Sequence, residues 1–168
     1  MKKTLVIVLF ILFPSILLMA SLHDAIGFWK SVDAKKGFTT SIMVAYEYEG
    51  KLYGQVIAGF DEKEGFLIDT YLSPVRRIEK LEGSPFLVES NLFWDLEPKE
   101  SIWADGYIRD PRNGRSYRCD IWVEDEKLVV RGKLGPFGVR QLFYPATVMD
   151  LPPGLPFPDV KSLTPAHL

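Results

Sequence analysis

Residues 102–123 read IWADGYIRDPRNGRSYRCDIWV, and this stretch decides the fold class. On either side of Asp110–Arg115, apolar residues recur at every second position, the period of a strand with two unlike faces. Inside the interruption, Pro111 fixes φ for the first corner of a type I turn and Asp110 offers its carboxylate to the loop amides. Asn113 precedes Gly114, which takes the left-handed conformation that returns the chain. Pairing Asp110 with Arg115 sets Ile108 against Tyr117, Gly106 against Cys119 and Ala104 against Ile121 on one apolar face. The other face then pairs Tyr107 with Arg118, Asp105 with Asp120 and Trp103 with Trp122. A two-residue turn at Asn113-Gly114 would instead oppose Arg109 to Arg118, which like charges disfavour.

Further strands extend outward from this hairpin. Ile42, Val44, Tyr46 and Tyr48 alternate with Ser41, Met43, Ala45 and Glu47, and Glu49-Gly50 reads as a tight turn into Lys51–Phe60. Gly54, in mid-strand, marks a bend or a close backbone approach. Lys127–Leu134 and Val139–Tyr144 follow as strands, Phe66–Ile68 reads as a short one, and Phe86–Trp94 adds another. Ser73–Glu82 carries a capping serine followed by Pro74 and predicts a helical turn or two. Seven or eight short strands joined by turns predict an all-β meander that closes as a barrel or stacks as a sandwich, and the sequential hairpins favour an antiparallel up-and-down barrel with at most one short helix.

Three parts follow along the chain. Residues 1–20 read as a signal peptide: Lys2 and Lys3 precede an apolar run from Thr4 to Ala20 that Pro14 and Ser15 interrupt. An uncleaved anchor is the alternative, on a run somewhat short for spanning. Residues 21–145 form the barrel domain. Residues 146–168 form a proline-rich tail, extended or mobile, because proline cannot join a sheet interior. Export to the periplasm or outside the cell is the expected localisation.

Composition narrows the function. Hydrophobic residues at 47% and charged residues at 25% suit a folded domain and exclude global disorder. Without Lys2 and Lys3, 18 basic residues face 22 acidic ones, so the domain lacks the basic stripe that nucleic acids require. Cys119 is the only cysteine, so no internal disulfide forms, and its alternation with Tyr117 and Ile121 reads as a core position. The two histidines, His23 and His167, sit at the ends, which leaves hydrolase triads without a placed base. No zinc-ligand spacing and no glycine-rich phosphate loop appear. Asp61, Glu62 and Glu64 read as a solvated turn in preference to a calcium site. No metal and no cofactor is expected.

Gly27-Phe28-Trp29, Asp33, Lys51-Leu52-Tyr53-Gly54, Asp110–Tyr117 and Leu128–Gly132 together resemble an exported bacterial family known as domain of unknown function 2147. The likeness covers most of Ile26–Tyr144 and implies a lipocalin-like barrel with no established activity. Leu72-Ser73-Pro74 with Arg76-Arg77 replaces the family's usual Asn-Pro segment and its following Arg-rich stretch, and Phe143-Tyr144 stands where a tryptophan is common. Gly27-X-Trp29 also resembles the opening of lipocalins, which implies a Trp29 plug at the barrel floor with Arg140 stacked on it.

The face carrying Trp103, Asp105, Tyr107, Arg118, Asp120 and Trp122 is the candidate ligand-binding wall, offering flat apolar contact and a few polar groups. Gly27, Trp29, Asp33, Gly54, Asp110, Pro111, Asn113, Gly114, Tyr117 and Arg140 form the structural framework. The expected role is binding of a small apolar or amphipathic molecule. The alternatives are an envelope interaction protein with a filled barrel and, more weakly, an enzyme using the Asp105–Asp120 carboxylates.

Overall fold

The computed structural model describes residues 21–134 and 137–166. Residues 1–20, read as a signal peptide, and His167 lie outside them. Nine strands form one antiparallel sheet: β1 (Gly27–Val32), β2 (Thr39–Tyr48), β3 (Lys51–Phe60), β4 (Leu67–Thr70), β5 (Asn91–Lys99), β6 (Ile102–Arg109), β7 (Ser116–Glu124), β8 (Lys127–Leu134) and β9 (Phe137–Pro145). Eight of them close an up-and-down barrel, with β2 pairing β3 and β9 returning to β1 through Trp29↔Pro145 and Lys30↔Tyr144. β4 attaches to the far end of β3 outside the ring, through Ala58↔Thr70 and Gly59↔Asp69.

The two ends of the barrel are built differently. At the floor the hairpins are minimal: Glu49-Gly50 (φ 49° and 76°) and Asp125-Glu126 (φ 50° and 59°) both take the left-handed pair whose twist matches the flanking strands. At the mouth, three loops share one five-residue solution, Asp-x-x-x-Gly. Gly37 N donates to Asp33 O at 2.9 Å, Gly65 N to Asp61 O at 2.9 Å and Gly114 N to Asp110 O at 2.8 Å. In each loop the aspartate carboxylate also accepts backbone amides of its own turn, such as Lys35 and Lys36 on Asp33 and Lys63 and Glu64 on Asp61. These amide bonds hold the Asp33 and Asp61 carboxyls below the usual carboxylate range. Among the described residues no group of His, Cys, Asp and Glu is arranged to hold a metal ion, and Asp61 serves its own turn.

The lower half of the barrel is packed solid. Trp29, Met43, Leu52, Phe93, Leu96, Trp103, Ile121, Leu128 and Phe143 fill it. A single 3-10 turn at Leu22–Ala25 crosses underneath, accepting the Trp29 indole on Ala25 O at 3.0 Å and the Trp103 indole on Leu22 O at 2.9 Å. Gly54 faces inward because Phe93 needs its space; a Cβ there would lie 2.2 Å from the ring. Cys119 is fully buried in the same cluster, and burial pushes its thiol up to about 12. A thiol reagent at pH 8 should therefore leave the folded protein unlabelled and modify Cys119 only in denaturant. Rapid labelling of the native chain would contradict this packing.

A second core lies on the outer face of β1–β3. Ile42, Val44, Tyr46, Ile57 and Ala58 point outward yet are almost fully buried, because residues 146–166 run across them. Leu151, Leu155, Phe157, Val160 and Leu163 supply the covering surface, and Phe157 stacks on Phe28 at 3.8 Å. The prolines keep this segment extended, and polar ties fix it: Lys30 pairs with Asp150, Tyr71 Oη donates to Pro156 O at 3.0 Å, and Asn91 holds both backbone groups of Ala166.

Two expectations are corrected. Ser73–Glu82 forms no helix; the chain from Tyr71 to Ser90 folds as an irregular flap in which Ile78 N donates to Pro85 O and Leu87 N to Arg76 O. Ile78 and Val88 are buried, so the flap's apolar residues pack inward at intervals that do not fit a helical face. The only helical elements among the described residues are 3-10 turns. The hairpin register of residues 102–123 holds from Arg109↔Ser116 to Gly106↔Cys119, then shifts so that Trp103 pairs with Ile121. Asp105 takes φ 59°, and the bulge sets Ala104 and Asp105 against Asp120. Trp103 is thereby turned from the outer face into the barrel.

Candidate functional site

Above the packed floor the barrel is hollow. A cavity of about 740 Å³ opens between the mouth loops. Strand alternation sets its lining: β3 gives Val56, β6 Ile108, β7 Tyr117, β8 Val130 and Gly132, β9 Gln141 and Phe143, while Ser31 and Ser41 enter from β1 and β2. The flap adds Arg76, Arg77, Ile78 and Leu87, and the β6–β7 loop adds Asp110, Pro111 and Arg112. The wall is apolar toward the floor and polar toward the opening, the usual composition of a small-molecule site.

The rim is braced by its own contacts. Lys36 Nζ donates to Glu62 O and Lys63 O at 2.9 and 3.0 Å, joining two mouth loops. Arg77 lies 3.8 Å above the Phe86 ring and donates to Ser84 O, which closes the flap on itself. Asp110 binds Arg112 Nε at 3.0 Å, and that bond keeps its carboxyl below the usual range. Arg76 spans β3 and β4, paired with the buried Asp69 at 3.2 Å.

The six residues of the expected binding wall are divided by the structure, and none lines the cavity. Trp103 lies in the floor. Tyr107 and Arg118 stack outside the barrel, with the guanidinium 4.7 Å from the ring and Trp94 beneath Tyr107 at 5.7 Å. Asp105 and Asp120 also face outward, and Lys133 Nζ sits between them at 3.3 and 2.8 Å. That ammonium lowers the Asp105 carboxyl, the opposite of what an acid catalyst requires. Trp122 lies under Arg140 at 5.2 Å, and Arg140 also pairs with Glu124.

Arg140 therefore does not cover Trp29. Alternation along β9 places Gln141 and Phe143 inward; Arg140 borders the cavity rim, but its guanidinium stacks on Trp122 and pairs with Glu124 in the outer ladder. Of the framework residues, Gly27 begins β1 opposite Ala45, Asp33 and Gly114 shape mouth loops, Asn113 bonds Asp110, and Asp110, Pro111 and Tyr117 reach the cavity. Ser41, Ile108, Gln141 and Arg76 line the cavity but are not among the residues the sequence assigns to a ligand site. The signal for Gln141 was its two-residue offset from the buried Phe143. Arg76 gave no such signal, since its position depends on an irregular flap.

A family model described as an uncharacterized protein conserved in bacteria (DUF2147) matches residues 27–144. Among solved structures, a lipocalin-family protein from the human pathogen Helicobacter pylori superposes with a TM-score of 0.57 at 13% identity, covering 75% of this chain and 85% of that one. This is a likeness of fold. No curated protein matches the chain.

Proposed function

The chain belongs to the DUF2147 family, and from that premise we propose that its barrel is a binding module holding one small apolar or amphipathic molecule in its upper half. The observation that carries this reading is the unfilled space above the floor, about 740 Å³, within the range of roughly 300–1,000 Å³ usual for ligand sites. A barrel serving only as a docking body has no need of such a void, since interiors otherwise close to crystal-like density. The basic Lys2-Lys3 pair and the apolar run from Thr4 to Ala20 support placing this module outside the cytoplasm; N-terminal sequencing of protein from its host should begin at Ser21.

Gly132 provides the test of the cavity. It faces inward, and a Cβ built there meets nothing closer than Ile108 Cγ2 and Val139 O at 3.9 Å. Gly132→Phe should place a ring in the void with thermal stability maintained. The neutral fluorescent amine N-phenyl-1-naphthylamine should bind the native protein saturably at one site, and Gly132→Phe should weaken it by about tenfold or more. Unchanged affinity in that variant would remove the barrel interior as the site.

A further inference from the structure

Arg76 owes its place to an absent side chain. Gly59 pairs with Ser41, a cavity residue, so it faces the interior near the mouth. A Cβ on Gly59 would lie 1.6 Å from Arg76 Nη2 and 2.4 Å from Asp69 Oδ1. The guanidinium thus occupies the berth that any larger residue would fill. Asp69, with a side chain wholly withdrawn from solvent, binds Nη2 at 3.2 Å and the Arg76 backbone amide at 3.1 Å. Phe60 O accepts from Nη1 at 3.4 Å.

This scaffold fixes the arginine but leaves it incompletely bonded. Its Nε is buried and has no partner. Among the described residues, three buried side-chain polar atoms lack one: Arg76 Nε, Arg109 Nε and Tyr46 Oη. Arg109 stacks on Trp94 in the outer ladder at 4.7 Å, so of these atoms only Arg76 Nε belongs to a guanidinium beside the cavity. Nη1 and Nη2 each meet one acceptor, Phe60 O and Asp69 Oδ1, which leaves each a second N–H for an incoming acceptor on a side chain that is 30% exposed. At the opening Arg77 also borders the cavity and has no carboxylate partner among the described residues, whereas Arg112 is paired with Asp110. A guanidinium at the edge of a low-dielectric cavity attracts an anionic head.

We infer that the cavity takes an amphipathic molecule with an oxyanion head, carboxylate or phosphate, seated at Arg76 while its apolar body enters toward Val130 and Phe143. This rests on the binding reading above and adds the chemical class. A guanidinium held from behind by a carboxylate is oriented to accept such a head by charge-assisted hydrogen bonds.

Competition against bound N-phenyl-1-naphthylamine tests it, using decanoate, decyl phosphate and decanol, which share one chain and differ in the head. At least one of the two anions should displace the probe about tenfold better than decanol, and whichever does so identifies the head. The double variant Asp69→Asn with Arg76→Gln, which strands no buried charge, should abolish that preference while still binding the probe. Gly59→Ala, which displaces the guanidinium without changing any charge, should reduce it as well. Equal displacement by all three compounds, or a preference surviving in the double variant, would overturn the inference with the binding reading intact. Failure of the probe to bind the native protein would remove both.

Discussion

Deleting residues 146–168 is expected to yield a chain that aggregates or fails to fold. Each of Phe28, Ile42, Val44, Tyr46 and Ile57 would lose its cover. Burying one such side chain contributes about 1.5–3 kcal/mol. Exposing five of them together approaches the entire stability of an ordinary domain, about 5–15 kcal/mol. β2 is decisive, because Ile42–Tyr46 is an unbroken run of buried residues, one set facing the barrel and the other the tail. A strand with two apolar faces and one uncovered is an adhesive surface. Size-exclusion chromatography and thermal denaturation of the truncated protein check this. A monomer with unchanged melting temperature would mean that the tail contributes no structure.

The second large effect is expected at the floor. Trp103→Ala removes a side chain that is 2% exposed and the indole bond to Leu22 O, which holds the 3-10 turn beneath the barrel. Large-to-small changes at buried tryptophans cost about 3–5 kcal/mol. No disulfide reinforces this core, because Cys119 has no partner. Trp122→Ala serves as the control. Its indole lies on the outer face beneath Arg140, an exposed cation–π contact worth about 0.5–1 kcal/mol. Urea denaturation of the two variants should therefore show a loss several times greater for Trp103. Equal losses would restore the unbulged register, in which the two tryptophans share a face.

That register shows what was legible in the sequence and where legibility stopped. Strand identity followed from two-residue alternation, and the β6–β7 loop followed from Asp110, Pro111 and Gly114, whose conformational preferences are local. The pairing was readable as far as Gly106. Below it, the left-handed Asp105 inserts an extra residue, and a similar φ of 56° at Asp95 bends β5. Aspartate tolerates this conformation better than most residues, so an aspartate inside an aromatic strand was the available sign of a bulge. The bulge transfers Trp103 from the expected binding wall to the core and breaks up that candidate site.

The cavity was less legible still. Its apolar lining follows from alternation, but its mouth depends on the Tyr71–Ser90 flap, whose form is set by contacts without a regular period, such as Arg77 on Phe86. Gly59 carried no turn signal; its role emerges only once Arg76 and Asp69 arrive from elsewhere in the chain. The tail was read as proline-rich and therefore outside the sheet. Its apolar residues, Leu151, Leu155, Phe157, Val160 and Leu163, are the part of its sequence that explains the docking.

The proposed binding role requires a barrel with a solid floor and a hollow upper half that accepts a small molecule. Intermolecular NOEs between N-phenyl-1-naphthylamine and methyl-labelled protein locate the probe. Contacts to the methyls of Val56, Ile108 and Val130, with none to Leu142 or Val129 on the outer wall, are the predicted result. Contacts confined to the outer methyls would contradict the account.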